Sequence, residues 1–229
     1  MARQLSFDLP AMTALGREDF FVSPANALAV AMISAQVWPG GKLVLTGPAG
    51  AGKTHLAHVW AAETGGRITA AADLAEADIP QLASGPVAVE DVPLLAGDDA
   101  RQALLFHLHN LTLANGNPLL LTGQQAPGFW GLALPDLQSR IEGAQHVALD
   151  PPDDALLGAV LAKLFVDRQL SPGPEVISYL VKHMDRSFEA AARMVEALDR
   201  IALAEKRDIT RALAVRLLND QPGAAGHRN

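Results

Sequence analysis

Cysteine is absent from this sequence. That excludes a disulfide framework and a thiolate metal site, and makes a reducing, intracellular compartment the expected home. No apolar run approaches membrane-spanning length, and the N-terminus lacks the basic region and long apolar segment of a signal peptide, so a cytoplasmic protein with no membrane contact is expected. There is no internal repeat and no low-complexity tract. Positive charge is sparse in the first part: residues 1–150 hold 7 Lys/Arg against 14 Asp/Glu, whereas residues 151–229 hold 11 of each. Direct, salt-sensitive duplex binding needs a basic stripe that this distribution does not supply. What is present is a 229-residue chain, 49% hydrophobic and 19% charged, with material for one large domain and a small one.

Local signals order the chain. Ser23-Pro24 has the form of an N-cap followed by a first-turn proline, and predicts an Ala-rich helix running to about Trp38, where Pro39-Gly40-Gly41 stops it. "KLVLT" (42–46) reads as a short buried strand that feeds a glycine-rich turn, and the turn opens a helix through His55 and Trp60. "PVAVEDV" (86–92), "PLLLTG" (118–123) and "QHVAL" (145–149) are further strands, with a helix from about Asp99 to Leu113. Continuous apolar runs alternating with helices predict an α/β fold whose parallel sheet is covered by helices on both faces. From Pro151 the apolar residues recur only at helical spacing, as in Leu157, Leu161 and Phe165, which predicts a small all-helical domain. The expected organisation is a tail over 1–10, an α/β domain over 11–150 with a boundary at Asp150 to Asp153, a helical domain over 151–219, and a disordered end over 220–229.

One motif carries explicit chemistry. Gly47-Pro48-Ala49-Gly50-Ala51-Gly52-Lys53-Thr54 fits G-x-x-x-x-G-K-[ST], with a strand before it and a helix after. The loop formed by Gly47, Pro48, Gly50, Ala51 and Gly52 can close around a phosphate, its non-proline residues donating backbone N–H groups; Lys53 can contact the phosphate, and the Thr54 hydroxyl can ligate Mg²⁺. Such a site needs an acid at the end of a neighbouring strand. Glu90 and Asp91 stand there, Glu90 as the metal side and Asp91 to orient the attacking water; the alternative is a solvated acidic turn. Thr122 and Gln124 end the next strand, either near the γ-phosphate or as a plain strand-to-loop transition.

Two arginines stand out. Arg140, in "LPDLQSRI", is the only cation between Arg101 and Lys163, and is either functional or a surface arginine paired with Asp136 or Glu142. Arg186 begins a helix in "MDRSFEAAARMV", where the dipole disfavours a cation, so a phosphate partner is expected. The seven histidines show no metal spacing and read as structural. The opening hexapeptide "QLSFDL" (4–9) alternates Leu5, Phe7 and Leu9 as an edge strand would.

Taken in order, the P-loop, "VAVEDV", "LLLTG", "LPDLQSRI" and "MDRSFEAAARMVEALDR" resemble the AAA+ family, and within it the replication initiator DnaA and its shorter Hda-like relatives, over about residues 1–219. The resemblance implies a P-loop AAA+ domain followed by a helical lid, binding ADP or ATP with Mg²⁺. It implies that Arg140 is an arginine finger reaching a nucleotide on a neighbouring subunit, Arg186 the sensor II residue, Thr122 and Gln124 the sensor I positions, and Phe21 and Val22 contacts to the base. It also implies that Gln4, Leu5, Phe7 and Leu9 dock on the sliding clamp, the beta subunit of DNA polymerase III. The function implied is a regulator that, on the DNA-loaded clamp, stimulates hydrolysis of DnaA-bound ATP. DNA is then reached only through the clamp, and a homo-oligomer is compatible with it. Two departures shape the expectation. No helix-turn-helix module follows the helical part, so origin-specific duplex binding is not expected, and Glu90 replaces the usual first aspartate, so weak intrinsic hydrolysis with ADP as the main ligand is expected. The competing readings are an autonomous AAA+ ATPase, as initiator core or loader, and a P-loop small-molecule kinase.

Overall fold

Five short apolar runs set the architecture. In the computed structural model, which describes residues 21–35, 37–205 and 207–220, they form β1 (Lys42–Thr46), β2 (Arg67–Ala70), β3 (Val87–Glu90), β4 (Leu119–Gly123) and β5 (Gln145–Ala148). The sheet order is β2-β3-β4-β1-β5, and every pairing is parallel. All strands therefore begin at one edge of the sheet and end at the other, and the loops leaving their C-terminal ends share one side.

Successive strand residues point to opposite faces, and both faces are buried. Leu43, Leu45, Ala88 and Leu120 join one core with α1 (Ala27–Ala35) and α2 (Lys53–Thr64). Val44, Val87, Val89, Leu119 and Leu121 join the other with α4 (Asp99–Ala114) and α5 (Pro135–Glu142); α3 is the short Ile79–Leu82. Trp38 stacks on Trp60 at 5.5 Å between centroids, and its indole N–H donates to the Met32 carbonyl at 2.8 Å. The α/β fold with its doubly covered parallel sheet is as predicted.

The later helices, α6 (Asp154–Asp167), α7 (Pro174–His183), α8 (Phe188–Glu205) and α9 (Arg211–Asp220), close around a core of their own that includes Leu157, Leu161, Phe165, Leu180, Val195 and Leu198. Asp153 caps α6 by accepting the Leu156 N–H at 2.8 Å, and Ser187 caps α8 by accepting the Ala190 N–H at 3.0 Å. Among the described residues no helix is long and apolar enough to cross a membrane.

Two local expectations need correction. The first helix starts at Ala27, not at Ser23-Pro24, because Ser23 and Asn26 bond each other: the Ser23 N–H donates to Asn26 Oδ1 at 2.8 Å, closing a turn ahead of the helix. Strand β2 went unpredicted, since "RITA" is a half-exposed edge strand with no apolar run. The hexapeptide with Gln4, Leu5, Phe7 and Leu9 lies outside the described residues.

Candidate functional site

The loop between β1 and α2 sits at the C-terminal edge of the sheet, and its glycines are required by close approach. Gly50 has φ +71, and a Cβ there would lie 2.6 Å from Ser187 Cβ; Gly52 has φ +99, and its Cβ would meet the Phe188 ring at 2.8 Å. The N-terminus of α8 therefore rests directly on the P-loop. The Phe188 N–H donates to the Gly50 carbonyl at 2.8 Å, so one orphan donor of the helix start is satisfied by the loop.

Between these parts lies a cleft of about 330 Å³, lined by Ala49, Gly50, Gly52, Lys53, Thr54 and His55 of the loop and α2, Asp91 and Gln124 of the sheet edge, and Phe188 and Glu189 of α8. Two helix N-termini, those of α2 and α8, open onto it, which favours an anion. Lys53 is buried, with Nζ donating to the carbonyls of Gly47 at 2.8 Å and Pro48 at 3.0 Å. Burial holds its ammonium below the ordinary lysine value, against the pull of the Asp91 and Glu90 carboxylates. Phosphate oxygens would be stronger partners for this amine than the two carbonyls.

The acidic pair divides as its residues point. Asp91 lines the cleft in a left-handed conformation, φ 55, rare for a residue with a side chain. Its N–H donates to the Thr122 hydroxyl at 3.0 Å. Glu90 carries a buried Oε1 with no hydrogen-bond partner. A buried carboxylate oxygen left unpartnered beside a phosphate-type loop fits a metal ion, with the Thr54 hydroxyl as the second protein ligand. Among the described residues no group of three or more His, Asp or Glu is gathered for a metal.

Gln124 faces the cleft, whereas Thr122 is buried and engaged with Asp91. The Trp130 ring packs where a Cβ on Gly123 would stand, 2.7 Å away, and its N–H donates to the Gln125 carbonyl at 2.6 Å, which folds this loop. Ala51, within the P-loop, turns its side chain into the core below. Arg186 does not line the cleft: its guanidinium pairs with Asp154 at 2.5 Å and donates to the Pro152 carbonyl at 3.3 Å. Phe21 and Val22 are exposed, and the Phe21 carbonyl accepts from Asn26 at 2.9 Å.

Arg140 lies elsewhere. It is exposed, in the last turn of α5, with its guanidinium 5.4 Å from the centroid of the Phe106 ring and no ion pair among the described residues. Neither carboxylate suggested by the sequence holds it; Glu142 instead accepts from Gln138 at 2.6 Å. The Arg140 carbonyl accepts from Lys42 Nζ at 2.6 Å, and Lys42 is the first residue of β1.

Phe188 and Glu189 were missed by sequence reasoning, and His55 was read as structural. The segment "MDRSFEAAARMV" signalled a functional helix start, but which of its residues face the P-loop depends on how α8 docks.

No family model matches the sequence. Solved structures do resemble it. Domain III of the replication initiation protein DnaA from Thermotoga maritima superposes with a TM-score of 0.77 at 19% identity, over 90% of this chain and 96% of that one. AMPPCP-bound DnaA from Aquifex aeolicus gives 0.63 at 22% identity, over 82% and 68%. A Thermotoga maritima RuvB variant gives 0.65 at 17%, over 85% and 68%. The chain thus has the AAA+ fold: a P-loop-bearing parallel sheet followed by a helical region, as in DnaA and RuvB.

Proposed function

We propose that this chain is a nucleotide-binding AAA+ protein of chromosome replication that works between subunits: its cleft holds ADP or ATP with Mg²⁺, and its Arg140 serves ATP held by another AAA+ subunit. The observation that carries this is the placement of the two functional ends on β1. The P-loop leaves the C-terminal end of that strand, while Lys42 at its N-terminal end donates to the Arg140 carbonyl. A five-residue strand spans about 13 Å between its end Cα atoms, and the arginine stands off the opposite edge of the sheet. Arg140 is therefore out of place for the chain's own nucleotide, while its guanidinium, exposed and without an ion pair among the described residues, is available to a neighbour's.

The broad form of this reading, a DnaA-type AAA+ ATPase core, is the better supported, because the likeness to DnaA and RuvB covers most of the chain. The narrower form is an Hda-like regulator, in which "QLSFDL" binds the sliding clamp and Arg140 stimulates hydrolysis of ATP on DnaA; its support is the sequence resemblance. An arginine supplied in trans raises hydrolysis by roughly 10³ to 10⁵ in well-characterised GTPases, so one side chain suffices chemically. The likenesses to DnaA and RuvB do not favour the small-molecule kinase.

One assay decides: ATP hydrolysis by the chain alone, and by a DnaA-type initiator with the chain and DNA-loaded clamp, each with wild type and Arg140→Ala. Stimulated initiator hydrolysis lost in the variant supports the regulator. Arg140-dependent turnover by the chain alone supports the autonomous ATPase, and indifference of both reactions to Arg140 overturns the proposal.

A further inference from the structure

The side chains around Arg140 form a connected arrangement that the nucleotide cleft does not use. Lys42 Nζ, besides donating to the Arg140 carbonyl, lies 3.4 Å from Nε2 of His109. An ammonium has donors only, so Nε2 must be the unprotonated ring nitrogen, and the imidazole proton sits on Nδ1. There it donates to Asn110 Oδ1 at 3.1 Å. His109 is buried. Burial disfavours its charged form, as do the nearby charges of Lys42 and Arg140, against the favouring bond to Asn110.

The helix end explains why the lysine matters. The last carbonyls of a helix have no partner within it. At the end of α5 the Gly143 N–H goes to Ser139 and the Ala144 N–H to Ile141, which leaves the Arg140 carbonyl to Lys42. Phe106, whose ring supports the guanidinium, precedes His109 by one helical turn on α4. Helix α4 thus holds the arginine twice, its head through Phe106 and its main chain through His109 and Lys42.

Resting on the between-subunit reading above, we infer that Lys42 is a positioning residue for Arg140, locked in place by neutral His109 and Asn110, so that the guanidinium is presented in one orientation to the partner's nucleotide. The groups facing His109 are Lys42 from β1, Arg140 from α5 and Asn110 from α4; protonation of the imidazole would replace Lys42's acceptor with a second cation.

The test uses the full chain and whichever ATP-holding subunit, initiator or second copy, responds to wild type. Lys42→Met should lower the stimulated rate roughly tenfold or more, since displacements on the order of 1 Å cost up to about a hundredfold, while its own ADP affinity is unchanged. Lys42→Arg, which keeps a donor, should recover most of the rate. Lys42→Met combined with Arg140→Ala should be no slower than Arg140→Ala alone, an outcome that an independent structural role would not produce. Asn110→Leu, which frees the Nδ1 proton, should lose rate in the same sense and serves if Lys42→Met does not fold. Rates near wild type in both Lys42→Met and Asn110→Leu, with Arg140→Ala inactive, overturn this inference alone; full activity of Arg140→Ala overturns the reading beneath it.

Discussion

The backbone N–H of Asp91 donates to the Thr122 hydroxyl at 3.0 Å, tying the ends of β3 and β4 together and holding Asp91 in its left-handed conformation. A glycine adopts that conformation freely and a residue with a Cβ does not. Asp91 already bears that strain, so Asp91→Gly should relieve about 1–2 kcal/mol of it against a glycine entropy cost of about 0.5–1 kcal/mol, whereas Asp91→Ala keeps a Cβ and relieves none; the Gly form should be the more stable of the two. Thr122→Val, which leaves the amide unpaired, should lose about 1–3 kcal/mol. Urea denaturation of the three variants checks the order, and equal stability of the Gly and Ala forms would remove the strain from this account.

Gly50 and Gly116 share a left-handed φ, +71 and +73, but a Cβ on Gly50 meets Ser187 at 2.6 Å whereas one on Gly116 meets nothing within 4 Å. Gly116→Ala thus reports backbone strain alone. Gly50→Ala should in addition push α8 off the P-loop and weaken ADP binding at least tenfold, about 1.4 kcal/mol, as calorimetry would show.

Glu90→Gln separates the metal from the fold. Because Oε1 makes no protein hydrogen bond, the neutral amide should leave thermal stability unchanged or raise it. Magnesium should then no longer strengthen ATP binding, and calorimetry with and without the ion reads this directly. Lys53→Ala, by contrast, should abolish binding of ADP and ATP with or without magnesium.

Arg186 and Asp154 form a pair whose side chains are 49% and 64% exposed, so breaking it should cost less than about 1 kcal/mol of stability. Nucleotide affinity is the informative measurement. If Arg186 leaves Asp154 for the phosphates when nucleotide binds, Asp154→Ala should tighten ADP binding by removing the competitor and Arg186→Ala should weaken it. Affinity unchanged in both variants would confine Arg186 to the join between β5 and α6.

His109 predicts a pH effect of definite sign. Its folded-state pKa lies below the ordinary histidine value, burial being the main cause, so the folded protein favours the neutral ring. The stabilisation is fully present above the unfolded value of about 6.5 and is lost as pH falls from there through the folded value. The urea midpoint of wild type should drop over that interval, and His109→Gln should drop less. A steeper fall in the variant would reverse the assignment.

Much of the molecule was legible in local pattern. The strands at 42–46, 119–123 and 145–148 and the helix from Asp99 appear within about a residue of expectation, because apolar runs bounded by glycine and proline are near-neighbour signals. The P-loop was legible for the same reason, its eight residues being contiguous. Edge strand β2 was not, since a half-exposed strand carries no apolar run and exists through its pairing with β3. Nor could the sequence show that Phe188 and Glu189 line the cleft, that Arg186 turns to Asp154, or that Lys42 holds the Arg140 carbonyl across 98 residues of chain. Composition, fold class and phosphate loop were determined by the sequence itself; which cation meets which partner was decided only when the parallel sheet and the docking of α8 brought distant side chains within hydrogen-bonding reach, because such bonds depend on packing geometry that no local period encodes.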